Sequence, residues 1–120
     1  MRPDAAVGAI EMTMSPIRGK RAVIVDDLID TAGTLTSAAR AIVTAGAVDV
    51  SACATHAVFS GDAVQRIQNS PLQHVVVTDT IPLGAPGQGC AKIAVRSVAH
   101  LLGEAIKRVH HGDSISSLFV

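Results

Sequence analysis

The sequence predicts an α/β fold with a mostly parallel sheet and helices on both of its faces. Residues 22–25 form a short apolar run rich in β-branched side chains, which is typical of a strand buried on both faces of a parallel sheet. Residues 35–43 repeat apolar side chains at the spacing of an amphipathic helix. Residues 48–54 form the next apolar run, so the three segments predict a βαβ unit with a right-handed crossover.

Later segments continue this alternation of strands and helices. An edge strand is expected within residues 1–14, and a turn follows at residues 15–19. Gly46 suits the position just after the first helix, where a positive φ is common. The remaining predicted elements are a short helix at 62–69, a strand at 73–78, a Pro/Gly loop at 82–89 and a last strand at 92–95.

The final predicted helix, residues 98–109, has the clearest apolar stripe, and we expect it to pack on the rest of the domain. Ser97 is a candidate cap at its start. Glu104 and Arg108 have the i,i+4 spacing of an ion pair, and Gly112 follows the helix end.

Composition limits the class of protein. The chain has 120 residues, 48% hydrophobic and 2% aromatic, which suits one domain over residues 1–120 with a core of small aliphatic side chains. Its formal net charge is zero, and it lacks both a basic stripe and an aromatic stacking platform, so nucleic-acid binding is disfavoured. No apolar run reaches membrane length, and Cys53 and Cys90 lack metal-ligand spacing. We therefore expect a soluble, cytoplasmic protein with free thiols and no membrane contact.

Two adjacent carboxylates, Asp26 and Asp27, follow the first predicted strand, and a loop at residues 28–33 leads to the first helix. Ligands of open α/β sheets bind at the carboxyl ends of strands. The loop offers N–H groups and two hydroxyls at a helix N-terminus, which favours an anion, and Gly33 permits close approach or a positive φ. Asp26 and Asp27 would repel a phosphate and suit vicinal hydroxyls or Mg2+ instead. The pattern predicts a site for a phosphorylated ribose, with the phosphate at Asp30, Thr31, Ala32, Gly33 and Thr34.

A simpler interpretation is a capped helix start, with Asp30 or Thr31 as the N-cap residue. Paired carboxylates at the end of a buried strand favour the binding site, because ionised groups there are costly unless solvated or liganded. His56 ends the second strand and is either a residue of the site's rim or a hydrogen-bonded structural histidine. Asp79 ends the third strand and either orders the site or forms a turn. The other histidines form no metal-binding or catalytic pattern: His74, His100, His110 and His111.

The segment Val23-Ile-Val-Asp-Asp-Leu-Ile-Asp-Thr-Ala-Gly-Thr34 resembles the phosphoribosyl pyrophosphate signature of type I phosphoribosyltransferase folds. Within that class it is similar to the ribose-phosphate pyrophosphokinases, and the similarity continues through residues 54–61, 75–82 and 114–119. The resemblance implies that ATP transfers its β,γ-pyrophosphoryl group to the 1-hydroxyl of ribose 5-phosphate. It implies that residues 30–34 hold the 5-phosphate, and that Asp26 and Asp27 hold the ribose hydroxyls with or without Mg2+.

The resemblance also implies partners, because the family's ATP pocket and most of its catalytic cations lie in an N-terminal half. The basic residues Arg18, Lys20 and Arg21 precede the first strand at its far end. We therefore expect weak binding of ribose 5-phosphate or phosphoribosyl pyrophosphate and negligible turnover by this chain alone. Its expected partners are the N-terminal half, full-length synthetase subunits and further copies of itself.

In the family the C-terminal tail lines a regulatory site between subunits, which implies that role for Ser114, Ser116 and Phe119. Two other functions remain open: a non-catalytic regulatory module that associates with a synthetase, and a small phosphoribosyltransferase. The latter class needs a hood over the acceptor base, and no segment of this chain is spare enough to build one.

Overall fold

The computed structural model describes residues 15–119, which form one parallel four-stranded sheet in the order β1-β2-β3-β4. A 3-10 turn at Ser15–Ile17 precedes the sheet, and another at Ser116–Phe119 follows the last helix. Between them lie, in chain order, β1 (Arg21–Ile29), α1 (Gly33–Thr44), β2 (Asp49–Ala57), α2 (Ala63–Gln68), β3 (Leu72–Thr78), α3 (Ala85–Gln88), β4 (Ile93–Arg96) and α4 (Ala99–His111). The predicted α/β class and parallel sheet are confirmed. The predicted edge strand within residues 1–14 lies outside the described residues.

The core lies between the sheet and one layer formed by α1 and α2. Small residues such as Ala39 and Ala63 have no exposed surface, which lets the helices approach the strands closely. Ile67 of α2 and Val75 of β3 are also fully buried. The other members of this core are Ile29, Ala32, Ile42, Ala47, Val50, Ala52, Ala54, Ala57, Leu72 and Val77.

The opposite face of the sheet is open in the described part of the chain. On β1 the side chains of Val23 and Val25 are 65% and 76% exposed, whereas Ile24 between them packs on the core. Right-handed crossovers that advance across the sheet in one direction place their helices on one face. The predictions that helices cover both faces, and that residues 22–25 are buried on both sides, are therefore wrong for residues 15–119.

The final helix α4 also differs from its prediction. Its expected features are present: Glu104 and Arg108 form an ion pair at 3.3 Å, and Gly112 ends the helix with φ of 74°. However, none of its residues is buried, and Ile106 is 70% exposed. The apolar stripe that was expected to pack on the domain faces solvent.

Several boundaries move in ways that matter for the site. Strand β1 continues through Ile29, so Asp26 and Asp27 lie inside the strand rather than after it. The predicted Pro/Gly loop contains the short helix α3, which begins with Ala85 and Pro86, a position where proline's missing N–H costs nothing. Gly46 follows α1 with φ of 103°, as predicted. No helix in residues 15–119 is long and apolar enough to cross a bilayer.

One truncation tests the position of the core, with the same truncation on α4 as its control. Ile67→Ala should lower the free energy of unfolding by about 2–5 kcal/mol, because the side chain is fully buried between helix and sheet. Ile106→Ala should change it by no more than about 0.5 kcal/mol, because that side chain is exposed. Denaturant unfolding of both variants measures the difference. Equal losses would mean that α4 packs on the domain in solution.

Candidate functional site

The two carboxylates of β1 bind local backbone N–H groups. The N–H of Asp27 donates to Asp26 Oδ1 at 2.8 Å, and the N–H of Leu28 donates to Asp27 Oδ1 at 2.8 Å. The hydrogen bond with the Asp26 side chain, followed by that from Leu28, lowers the pKa of Asp27 below its ordinary value. Asp27 is therefore an ionised hydrogen-bond acceptor at neutral pH.

The turn from β1 into α1 depends on Ala32, which precedes the helix with φ of 64° and ψ of 9°. This left-handed conformation is uncommon for a residue with a Cβ. Of the two roles expected for Gly33, close approach to a ligand or a positive φ, the positive φ lies at Ala32 instead. The alternative of a side-chain cap by Asp30 or Thr31 is also wrong, since no side chain caps this helix. Instead Thr36 Oγ1, buried beneath the turn, donates to Ala32 O at 2.8 Å.

The start of α1 presents unused backbone donors. Within residues 15–119, the N–H groups of residues 31–35 have no acceptor. Free N–H groups at a helix N-terminus and the positive end of the helix dipole favour an anion. An anion placed here would be bound by dipoles rather than by a cationic side chain.

A cavity of about 260 Å³ lies beside these donors. It brings together six of the seven predicted substrate residues: Asp26, Asp30, Thr31, Ala32, Gly33 and Thr34. Asp27 is not among the residues that line it, although its side chain is hydrogen-bonded to that of Asp26. A carboxylate and a set of free N–H groups thus share one cavity, with the second carboxylate just outside.

Residues of the β2–α2 segment and of α2 itself form hydrogen bonds with the loop between β1 and α1. Ser60 N donates to Asp30 O at 3.0 Å, and Ser60 Oγ donates to Asp30 Oδ1. Arg66 of α2 donates from Nη1 to Thr31 O at 2.8 Å. Sequence reasoning missed Ser60 and Arg66, although the parallel βαβ pattern predicts that this segment and the loop meet at one sheet edge.

His56 belongs to a polar network at the same edge. Its Nδ1 lies 2.8 Å from Thr80 Oγ1, and Thr80 Oγ1 lies 3.3 Å from Thr55 O. Thr78 Oγ1 also donates to Thr55 O, at 2.6 Å. The charge of His56 is one of the lesser causes that lower the pKa of Asp27. His56 is therefore hydrogen-bonded, as expected of a structural histidine, and lies near enough to Asp27 to affect its pKa.

Asp79 holds the start of α4. It accepts from Ser97 Oγ at 2.6 Å and from the N–H of Val98 at 2.9 Å. These two hydrogen bonds, the one from Ser97 first, lower the pKa of Asp79. Ser97 Oγ in turn accepts from Ala99 N at 3.1 Å, as expected of a residue near the helix start.

Two further cavities flank the site. One, of about 210 Å³, lies on the open face and is lined by Asp26, Cys53, Thr78 and Arg96, among others. Arg96 thus shares a cavity with Asp26. Sequence reasoning did not foresee this cation near the carboxylates. The larger cavity, of about 650 Å³, lies between α2 and residues 82–87 and contains none of the predicted site residues. Neither the free N–H groups at the start of α1 nor the carboxylates of β1 line this cavity.

The oxygen donors of Asp26 and Asp27 suit a hard divalent cation such as Mg2+. In the described part of the chain, however, no three His, Cys, Asp or Glu side chains converge on one point. The residues therefore fit a cation only if a substrate supplies further oxygens.

The tail is bound to α4 rather than to the sheet. Ser114 Oγ lies 2.8 Å from Ser116 Oγ, and Arg108 donates to Ser114 O at 3.2 Å and to Ser117 Oγ. Phe119 is 70% exposed. The predicted regulatory residues are thus close together at the end of α4, with the aromatic ring facing solvent.

The sequence is similar to one known family along most of its length. Residues 10–120 match the family described as phosphoribosyl synthetase-associated domain. The chain is 52% identical over 118 residues to a ribose-phosphate pyrophosphokinase of Caldanaerobacter subterraneus subsp. tengcongensis, covering 98% of the chain and 37% of that protein. It is 49% identical over 118 residues to the Aquifex aeolicus protein of the same name, with the same two coverages. The chain thus spans 37% of the length of these relatives.

The fold has a counterpart among solved structures. A phosphoribosylpyrophosphate synthetase from Mycobacterium smegmatis superposes with a TM-score of 0.75 at 35% sequence identity. The match covers 80% of this chain and 32% of that one.

Asp79 gives a pH-dependent test of the start of α4. Its lowered pKa means that its stabilising effect is fully present above the ordinary aspartate pKa of about 3.9 and is lost as the pH falls through the lower folded value. Asp79→Asn should therefore reduce protection of the Val98 amide from hydrogen exchange at pH 7. The difference from the unmodified protein should vanish in acid.

Amide exchange measured by NMR across that pH range makes the comparison. Asp113→Asn, beyond the C-terminal end of α4, serves as the control and should leave the protection of the Val98 amide unchanged. Unaltered protection of Val98 in Asp79→Asn at pH 7 would contradict the assignment.

Proposed function

Because the chain belongs to the phosphoribosyl synthetase-associated domain family, we propose that it binds the sugar phosphate of a ribose-phosphate pyrophosphokinase. The ligand is ribose 5-phosphate or the product phosphoribosyl pyrophosphate, used in ATP-dependent pyrophosphoryl transfer for nucleotide biosynthesis. The observation that carries this proposal is the row of N–H groups without an acceptor at residues 31–35, in one cavity with the Asp26 carboxylate.

The 5-phosphate is assigned to the start of α1. Its oxygens accept hydrogen bonds from the loop N–H groups and from the hydroxyls of Thr31 and Thr34, all of which are donors without charge. Hydrogen bonds to a charged partner are worth about 1.5–3 kcal/mol each, so two or three of them suffice for specific binding. Gly33 adds space, since a Cβ there would meet only Thr31 Oγ1 at 3.8 Å.

The ribose hydroxyls are assigned to the carboxylates. Asp26 lies in the cavity, and the ionised Asp27 stands next to it in the strand. Vicinal hydroxyls donate to carboxylate oxygens, whereas a phosphate dianion has no proton to donate, so the ligand has one orientation. Mg2+, held by Asp26, Asp27 and substrate oxygens, would supply charge neutralisation for the pyrophosphoryl group.

In the proposed reaction the 1-hydroxyl oxygen of ribose 5-phosphate attacks the β-phosphorus of ATP, and the bond to the oxygen bridging to the α-phosphorus breaks. AMP leaves, and the hydroxyl proton is released. Such transfers depend on positioning and on cations. Arg18, Lys20 and Arg21 lie at the opposite end of β1 from the site, and Arg21 pairs with Asp49 at 3.4 Å. The chain therefore supplies the acceptor side, and a companion supplies the ATP side.

The companion is the part of a ribose-phosphate pyrophosphokinase that this chain does not match, either in the same polypeptide or in neighbouring subunits. The exposed stripe of α4, formed by Leu102, Ile106 and Val109, is the kind of apolar surface that an interface covers. The open sheet face at Val23 and Val25 is also exposed and apolar, and we assign it to contacts between copies of the chain. A regulatory role of Ser114, Ser116 and Phe119 belongs to the same assembly, in which a neighbouring subunit would cover the exposed ring of Phe119.

Calorimetric titration of the chain with ribose 5-phosphate and Mg2+ tests the sugar-phosphate site. Thr34→Ala should weaken binding by about tenfold to a hundredfold, because one hydrogen bond to a charged group is lost. Thr44→Ala, at the other end of the same helix, is the control and should bind like the unmodified chain. Ribose without its phosphate should bind much more weakly than ribose 5-phosphate.

Two results would overturn this proposal. Equal binding by Thr34→Ala and Thr44→Ala would remove the phosphate from the start of α1. Tight binding of ATP to the chain alone would mean that it contains a nucleotide site and needs no companion to provide one.

The interface proposal has its own test on α4. Ile106→Glu should weaken association with the unmatched portion of the Caldanaerobacter enzyme more than tenfold, since a charge replaces an apolar contact. Lys107→Glu, the next residue of the same exposed helix, should have a much smaller effect. Analytical ultracentrifugation of the mixed proteins measures both. Identical association by the two variants would exclude the α4 stripe from the interface.

A further inference from the structure

Three successive carbonyl groups, beginning with the last residue of β1 and continuing into the loop after it, accept hydrogen bonds from residues 58–66. Ile29 O accepts from the N–H groups of Val58 and Phe59 at 3.1 and 3.0 Å. The next carbonyl, Asp30 O, accepts from Ser60 N, and Thr31 O accepts from Arg66 Nη1. The first two carbonyl groups accept from backbone N–H groups. The third accepts from a side chain on another helix.

The planar trans peptide group links these bonds to the ligand side of the loop. In each peptide group the C=O of one residue and the N–H of the next point in opposite directions. When the carbonyls of Asp30 and Thr31 are held toward the β2–α2 segment, the N–H groups of Thr31 and Ala32 point away from it. These are among the donors without an acceptor, and both residues line the 260 Å³ cavity.

We propose that Arg66 is a positioning residue for the anion-binding loop. It acts through Thr31: by holding Thr31 O, it keeps a carbonyl oxygen out of the anion's place and keeps the N–H of Ala32 turned toward it. The proposal rests on the proposed sugar-phosphate site, which it deepens by naming the residue that shapes the phosphate end. Arg66 need not touch the phosphate.

The conformation of Ala32 explains why an external contact is needed at this point. Alanine has no intrinsic preference for a φ of 64°, and no side chain caps α1. Strained backbone persists only where its surroundings fix it. Thr36 Oγ1 binds Ala32 O from below, and Arg66 binds the preceding carbonyl from the side. The peptide group between Thr31 and Ala32 is thus held by the Arg66 contact, and the one after Ala32 is held by Thr36.

The supporting segment is itself well fixed. Phe59 has a positive φ of 48° and packs against the core. Ser60 binds Asp30 through both its N–H and its hydroxyl. Arg66 lies on α2, whose neighbouring residue Ile67 is fully buried. The guanidinium therefore comes from a rigid base, which is what a positioning residue requires.

The test uses three variants of the chain. Arg66→Met removes the donor and keeps the length of the side chain, Arg66→Lys restores one donor, and Arg40→Met makes the same change of charge on the exposed surface of α1. We expect Arg66→Met to weaken ribose 5-phosphate binding about tenfold and Arg66→Lys to recover most of that loss. Arg40→Met should bind like the unmodified chain.

A second measurement needs no ligand. In ¹H–¹⁵N spectra of the free protein, Arg66→Met should shift the amide signals of Ala32 and Gly33, while Arg66→Lys leaves them near their original positions. A residue that only stabilised the fold would lower the melting temperature without this local signature. Arg66→Ala gives the same comparison if the methionine variant does not fold.

The outcomes separate the two proposals. Unmoved amide signals at Ala32 and Gly33 in Arg66→Met would overturn the positioning role, whatever the affinity. Moved signals with unchanged affinity would also overturn it, because the loop would bind equally well in either arrangement. If the unmodified chain does not bind ribose 5-phosphate, the proposed function fails, whereas the spectra still report whether Arg66 orders the loop.

Discussion

The left-handed turn at Ala32 converts the end of β1 into the start of α1, and the candidate site exists because of that turn. It leaves the first N–H groups of a twelve-residue helix without acceptors, next to a strand that carries two carboxylates. A side-chain cap would have used those donors. Instead Thr36 binds Ala32 O from beneath, and Arg66 binds Thr31 O from a neighbouring helix. The fold therefore stabilises the turn from behind and leaves its front free for an anion.

A second constraint is the strand order. Because β1 to β4 follow one another across the sheet, the core between the sheet and the helices α1 and α2 lies on one face. Alanine side chains let the helices pack closely on the sheet, so the side chains on this face are well buried. The same order leaves Val23 and Val25 exposed, and the apolar stripe of α4 is exposed as well. Exposed apolar side chains of this kind are what the assembly that we propose would cover.

The sequence predicted what depends on local pattern. Apolar periodicity located every strand and long helix of the described region, and the adjacent carboxylates with the following loop located the cavity at the end of β1. It failed where the result depends on tertiary contacts. Gly33 was expected to allow either a close approach or a positive φ, yet the positive φ lies at Ala32, whose carbonyl accepts from Thr36 Oγ1. The periodicity of α4 could not reveal whether anything packs on it, because an amphipathic stripe is the same in a core and at an interface.

The balance of charges at the site explains how one edge of the sheet can hold both carboxylates and a phosphate. Asp27 stays ionised at neutral pH, so it repels an anion placed nearby. The N–H dipoles at the start of α1 attract an anion only over short distances, since the helix dipole acts mainly within its first turn. A ligand with its phosphate at α1 and its hydroxyls at the carboxylates satisfies both groups at once. A free phosphate could not do so, so the site that we propose would select a phosphorylated sugar.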